Sequence, residues 1–140
     1  MNFVEQRMKD LLRTCYHEAG HLVALSQFGG YGCIEITENP NGNQVDERYF
    51  SGRIQIYNLK GDKRIIGLAG LVAELLLEDL NEIPGTFDDA ILMDVMTLSE
   101  TDAELAEGYS YSDIEVTFEL LHKNWREVKQ IAESEIAIWV

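Results

Sequence analysis

The segment Ile65-Ile66-Gly67-Leu68-Ala69-Gly70-Leu71-Val72-Ala73-Glu74-Leu75-Leu76-Leu77, within a helix expected from Asp62 to Leu80, is apolar on nearly every side. A helix without a polar face has to be surrounded, so it belongs at the centre of the domain and the remaining elements must pack about it. Gly67, Gly70 and Ala73 form a ridge of small residues on which another helix can pack closely. Glu74 interrupts this pattern. A carboxylate in such a setting is costly unless something pairs with it. It is therefore either partnered, by a metal-ligand histidine or by a metal itself, or it lies on a solvent strip with Glu78 one turn later.

A second helix is expected from about Val4 to Phe28. Leu11, Leu12, Cys15, Ala19, Leu22, Val23 and Leu25 recur at steps of three and four, which draws a core-facing stripe. Gly29-Gly30-Tyr31-Gly32 ends it with residues that tolerate a left-handed backbone. This helix carries His17-Glu18-Ala19-Gly20-His21. At roughly 100° per residue the two histidines stand one turn apart on one face, where both imidazoles can reach a single metal ion. Glu18 lies about a quarter-turn away, in the general-base position of His-Glu-x-x-His hydrolases. The competing reading is a surface helix whose histidines are merely solvated.

The 140 residues suit one domain, 1–140, with a sizeable core. Eleven Lys and Arg against 25 Asp and Glu give a net charge of −14, which repels nucleic acid and anionic membrane. Cys15 and Cys33 have no C-x-x-C spacing and read as small apolar residues of a reducing compartment. The N-terminus lacks signal-peptide architecture and no apolar run approaches the ~20 residues of a membrane span, so a soluble, cytoplasmic protein is expected.

Alternation of Ile34 and Ile36 with polar neighbours over Cys33 to Glu38, and of Ile54 and Ile56 over Arg53 to Tyr57, predicts two half-buried strands. A loop rich in turn formers joins them. So small a sheet must lean on the histidine-bearing helix and leave an edge exposed. After a break at Asn81 to Gly85, Phe87 to Leu98 has helical spacing. Thr101-Asp102-Ala103-Glu104 has the form of a capping box for a short helix to Glu107. Ser112-Asp113-Ile114-Glu115 opens one last long helix, whose stripe runs from Ile114 through Phe118, Leu121, Trp125, Val128, Ala132 and Ile136 to Trp139. Asp88, Asp89, Asp94 and His122 read mainly as solvated or packing residues, and Asp113 as an acid favoured by the helix dipole.

Taken in order, the His-Glu-Ala-Gly-His helix, the small β element, Leu68-Ala69-Gly70-Leu71-Val72-Ala73-Glu74 and Gly108-Tyr109-Ser110-Tyr111-Ser112-Asp113-Ile114-Glu115-Val116-Thr117 resemble the peptidase domain of FtsH-type ATP-dependent zinc metalloproteases. The resemblance implies a zincin-like α+β fold, mostly α-helical, with a small sheet packed on the His-Glu-x-x-His helix. It implies zinc held by His17, His21 and Asp113, Glu18 as the base, and Glu74 as a support for a ligand histidine. Three departures stand out. The spacer between Glu74 and Asp113 is longer than the family's, Ser112 stands where the family commonly has Asn, and no ATPase module or membrane helix is present.

What the resemblance implies for activity is peptide-bond hydrolysis. Two neutral imidazoles and one carboxylate would leave zinc a net positive charge and an open position, so that its water ionises near neutral pH. The substrate would be a peptide or an unfolded protein, held extended along an exposed edge such as Arg53 to Tyr57. A separate ATPase or regulatory partner and a homo-oligomer are both compatible with the sequence. The rival is a non-catalytic zinc-stabilised or partner-binding domain, although a purely structural site has no need of Glu18. Third-ligand candidates other than Asp113 are Glu74, then Asp88, Asp89, Asp94 and His122.

Overall fold

A computed structural model describes residues 3–40, 48–79 and 98–140. Its architecture is α+β and mostly helical. The elements are α1 (Phe3–Gln27), β1 (Tyr31–Glu38), β2 (Phe50–Asn58), α2 (Lys63–Asp79), α3 (Glu100–Leu105), α4 (Tyr111–Lys123) and α5 (Trp125–Ala137). The helix expected over Phe87 to Leu98, with Asp88, Asp89 and Asp94, lies outside the described residues apart from Leu98, as does the break at Asn81 to Gly85.

The expected central helix, α2, shares the centre with α1. Ile66, Leu68, Ala69, Val72 and Ala73 of α2 and Leu11, Cys15, Ala19, Val23 and Leu25 of α1 are all fully buried. α1 is enclosed by α2, α5 and both strands, and α2 by α1, α3 and α4. Enclosure on three sides explains why α1 buries more than its apolar stripe, with Thr14, Tyr16, Glu18 and His21 also removed from solvent. The helix ends where the Gly30 N–H turns back to the Leu25 carbonyl at 3.0 Å, with Gly29 at φ 85°.

The strands pair antiparallel, with Ile34 opposite Ile54 and Ile36 opposite Gly52. They are longer than alternation predicts: Tyr31 and Gly32 extend β1, and Phe50, Ser51, Gly52 and Asn58 extend β2. The sheet rests on α1. Both cysteines are free thiols, and burial pushes that of Cys15 up to about 12. Among the described residues no helix is long and apolar enough to cross a membrane.

The C-terminal region corrects the sequence reading twice. The expected single helix is two, broken at Asn124, whose side-chain amide donates to the Leu120 carbonyl at 2.8 Å. The break has a packing cause, since α4 lies on α2 whereas α5 lies on α1. In addition, the helix starts two residues before the expected box. Ser110 is the N-cap, its side chain accepts from the Asp113 N–H, and Asp113 returns a carboxylate oxygen to the Ser110 N–H at 2.8 Å. α3 is likewise capped by Ser99 rather than Thr101.

Candidate metal centre

Two short segments share the pattern Ser-x-x-Asp, Ser99-Glu100-Thr101-Asp102 and Ser110-Tyr111-Ser112-Asp113, and each opens a helix. In both, the serine side chain accepts from the aspartate N–H at 3.3 Å. The carboxylates then diverge. That of Asp113 closes its capping box and faces the Arg64 guanidinium at 3.6 Å. That of Asp102 leaves its cap and reaches the histidines of α1. The expected third ligand, Asp113, is therefore engaged elsewhere, and Asp102 stands beside the histidines in its place. Glu74 does not join the cluster as a ligand, and His122 is exposed on α4.

His17, His21 and Asp102 form a group that could hold a metal ion. Asp102 Oδ2 lies 3.0 Å from His17 Nε2 and 3.1 Å from His21 Nε2, and the two Nε2 atoms are 3.1 Å apart. Ligand atoms bound at about 2.0–2.2 Å around one tetrahedral zinc stand roughly 3.3 Å from each other, so this triangle is close to the size that zinc requires.

The outer ring nitrogens settle what the inner ones offer. His21 Nδ1 lies 2.7 Å from the Ile66 carbonyl, which can only accept, so Nδ1 carries the proton and a neutral ring presents a bare Nε2 to the cluster. His17 Nδ1 lies 2.7 Å from the Glu74 carboxylate, with the same consequence. With both rings neutral, two imidazole lone pairs and a carboxylate would converge with no donor between them, an arrangement that favours a positive charge at that point. A proton on His17 satisfies part of this arrangement: burial alone would lower its pKa, yet hydrogen bonds to Asp102 and Glu74 hold it at about 10. That proton still leaves His21 Nε2 facing Asp102 with nothing shared. A metal ion satisfies all three atoms at once, so the donor set fits a divalent ion.

Close packing sustains the cluster. A methyl group added at Gly70 would overlap Nε2 of both His17 and His21. The small-residue ridge of α2 therefore serves the site as well as the helix pairing. Glu74 is mostly buried, and its carboxylate is held below the usual range: burial opposes this, while His17 and Arg13 outweigh burial.

Glu18 is 6 % exposed, and among the described residues none donates a hydrogen bond to its carboxylate. Gly52 of β2 faces it closely enough that an added methyl would lie 2.8 Å from Glu18 Cγ and 3.1 Å from Oε2. With His17 and Asp102, Glu18 lines a cleft of about 660 Å³ that is walled by Gly52–Ile54 of β2 and by Leu71 and Leu75 of α2. The Glu18 side chain is thus packed between α1 and β2 while its carboxylate belongs to the cleft wall, beside His17 and Asp102 of the candidate metal group.

Sequence reasoning thus reaches His17 and Glu18, which line one cleft, His21, which is buried behind them against His17, and Glu74, which the structure places on His17. It misses Asp102. The available signal was the repeated Ser-x-x-Asp pattern, which offers two equivalent aspartates at helix starts. Compared with known proteins, the chain matches no family model, and no curated protein is significantly similar to it.

Proposed function

We propose that the protein is a zinc-dependent hydrolase acting on peptide bonds, with His17, His21 and Asp102 as the metal ligands and Glu18 as the general base. The observation that carries this reading is the convergence of His17 Nε2, His21 Nε2 and Asp102 Oδ2 at 3.0–3.1 Å, with Glu18 lining the same cleft as His17 and Asp102. Zinc, when bound there, supplies a Lewis acid that polarises a carbonyl and acidifies water.

The chain's own residues do the rest. Glu74 and the Ile66 carbonyl fix both rings with Nδ1 protonated, so that Nε2 faces the cluster. The Glu18 carboxylate takes the proton of the attacking water and delivers it to the departing amine nitrogen. Gly52 keeps β2 close to Glu18 without filling the space in front of it. The edge of β2 beside the cleft can hold a substrate extended through backbone hydrogen bonds, which suits peptides and unfolded chains.

The test is metal content of the purified protein together with cleavage of an unfolded protein, with Glu18→Gln as the control. One zinc per chain, and hydrolysis reduced about 10²- to 10⁴-fold in the variant, are expected. Zinc binding by both proteins with no hydrolysis by either, on any unfolded substrate, would instead establish a zinc-stabilised binding domain.

A further inference from the structure

Arg13 lies on α1 one turn before His17, on the same face of the helix. Its guanidinium spans two carboxylates that stand one turn apart on α2. Nη2 is 2.6 Å from Glu78 Oε1, and Nε is 3.5 Å from Glu74 Oε1. The other oxygen of Glu74 is the one that lies 2.7 Å from His17 Nδ1. A continuous line of charge therefore runs from Glu78 through Arg13 and Glu74 to His17.

Two features set this line apart from an ordinary surface ion pair. Arg13 Nε is buried and, among the described residues, has no hydrogen-bond acceptor in acceptable geometry, although its side chain is 38 % exposed and its far end could turn to water. The guanidinium is instead held against Glu74. Moreover, the two ends of the line differ in exposure, with Glu78 at 52 % and Glu74 at 14 %. The outer contact anchors the arginine, while the inner one lies where charge is least screened.

We infer that Arg13 is a positioning residue for the metal centre. Anchored by Glu78, it fixes the rotamer of Glu74, and through Glu74 the ring orientation of His17. This rests on the metal-site reading above. Only arginine combines a permanent charge with a planar fork able to address two carboxylates, so lysine at this position keeps the charge and loses the span.

The experiment measures zinc affinity by competition with a chromophoric chelator, and the visible spectrum of the Co²⁺-substituted protein, for wild type, Arg13→Gln, Arg13→Lys, Glu78→Gln, Glu74→Gln and the double variant Arg13→Gln/Glu74→Gln. Arg13→Gln should weaken zinc binding about 10-fold or more, within the range for partners that orient ligand histidines, and should alter the Co²⁺ bands. Arg13→Lys should recover part of the loss. Glu78→Gln, an exposed change that touches neither Glu74 nor the histidines, should weaken binding several-fold, and it keeps the question open to measurement should Arg13→Gln fold poorly. Because Arg13 acts through Glu74, the double variant should bind zinc no more weakly than Glu74→Gln alone. Wild-type affinity in Arg13→Gln and Glu78→Gln, or additive losses in the double variant, overturns the positioning role and leaves the zinc site standing. Absence of zinc binding by the wild-type protein overturns the metal-site reading itself.

Discussion

Asp102 Oδ2 lies 3.1 Å from His21 Nε2, across 81 positions of chain. The contact distinguishes two aspartates that occupy equivalent places at the starts of α3 and α4. Asp102→Ala should abolish stoichiometric zinc binding. Asp113→Ala should retain zinc and lower stability by about 1 kcal/mol through loss of the α4 capping box. Metal analysis and thermal melts of the two variants check this, and the reverse pattern would return the third ligand to Asp113.

Glu74→Gln should keep the fold and weaken zinc binding about 10- to 100-fold, since a neutral amide still accepts from His17 Nδ1 but no longer raises the ring's basicity. Unchanged affinity in chelator competition would show that Glu74 serves packing alone.

The pH dependence has a definite sign. Without a metal, the His17 pKa is raised from 6.5 to about 10, since its bonds to Asp102 and Glu74 outweigh burial. Stability from this raised value is fully present below about 6.5 and lost as pH rises through about 10. Asp102 and Glu74 are held low by contact with the histidines against the opposing effect of burial. Their contribution is present above the ordinary carboxylate range and lost as pH falls through their lowered values. The stability carried by these three groups should therefore be greatest in mildly acidic solution. Zinc must also displace the His17 proton, so about one proton should be released per zinc at pH 7. Calorimetry in buffers of different ionisation enthalpy measures that number, and a value of zero would mean that His17 is neutral before metal arrives.

Gly70→Ala sets two magnitudes against each other. Alanine gains about 1 kcal/mol of helix propensity over glycine, whereas overfilling a packed interior costs typically 1–3 kcal/mol. The added methyl would overlap ring nitrogens that α1 holds in place, so the second effect should win and zinc should be lost. Full zinc content with a raised melting temperature would show that α2 can withdraw from the histidines.

Much of this arrangement was legible in the sequence, and its limits have physical causes. The four-residue recurrence of Leu11, Cys15, Ala19 and Val23 announces α1, and the near-continuous apolar run announces α2, because burial on several sides leaves no other solution. The two half-buried strands around Ile34 and Ile36 and around Ile54 and Ile56 follow from alternation, but their register and the ladder's outer residues do not, since backbone pairing leaves no side-chain signature. The break at Asn124 is silent because the apolar stripe stays in phase across it while the packing partner changes. Asp102 is silent for a different reason. A serine three residues before an aspartate specifies a helix start equally well in both places, and only the neighbours decide which carboxylate stays in its cap: Arg64 for Asp113, two histidines for Asp102.

The meeting of α1 and α2 at Gly20 bears on how the site can move. A methyl group there would lie 2.6 Å from both the Ala69 carbonyl oxygen and the Ala73 Cβ, so the two helices touch nearly backbone to backbone within one turn of each histidine. Helices in such contact have no side-chain layer through which to slide or breathe. His21 and its Ile66 carbonyl, and His17 and its Glu74, must shift together or separate only when the pair comes apart. Amide hydrogens of α1 and α2 around these residues should accordingly exchange through one shared opening, the slowest among the described residues, while the exposed first turn of α1 frays on its own.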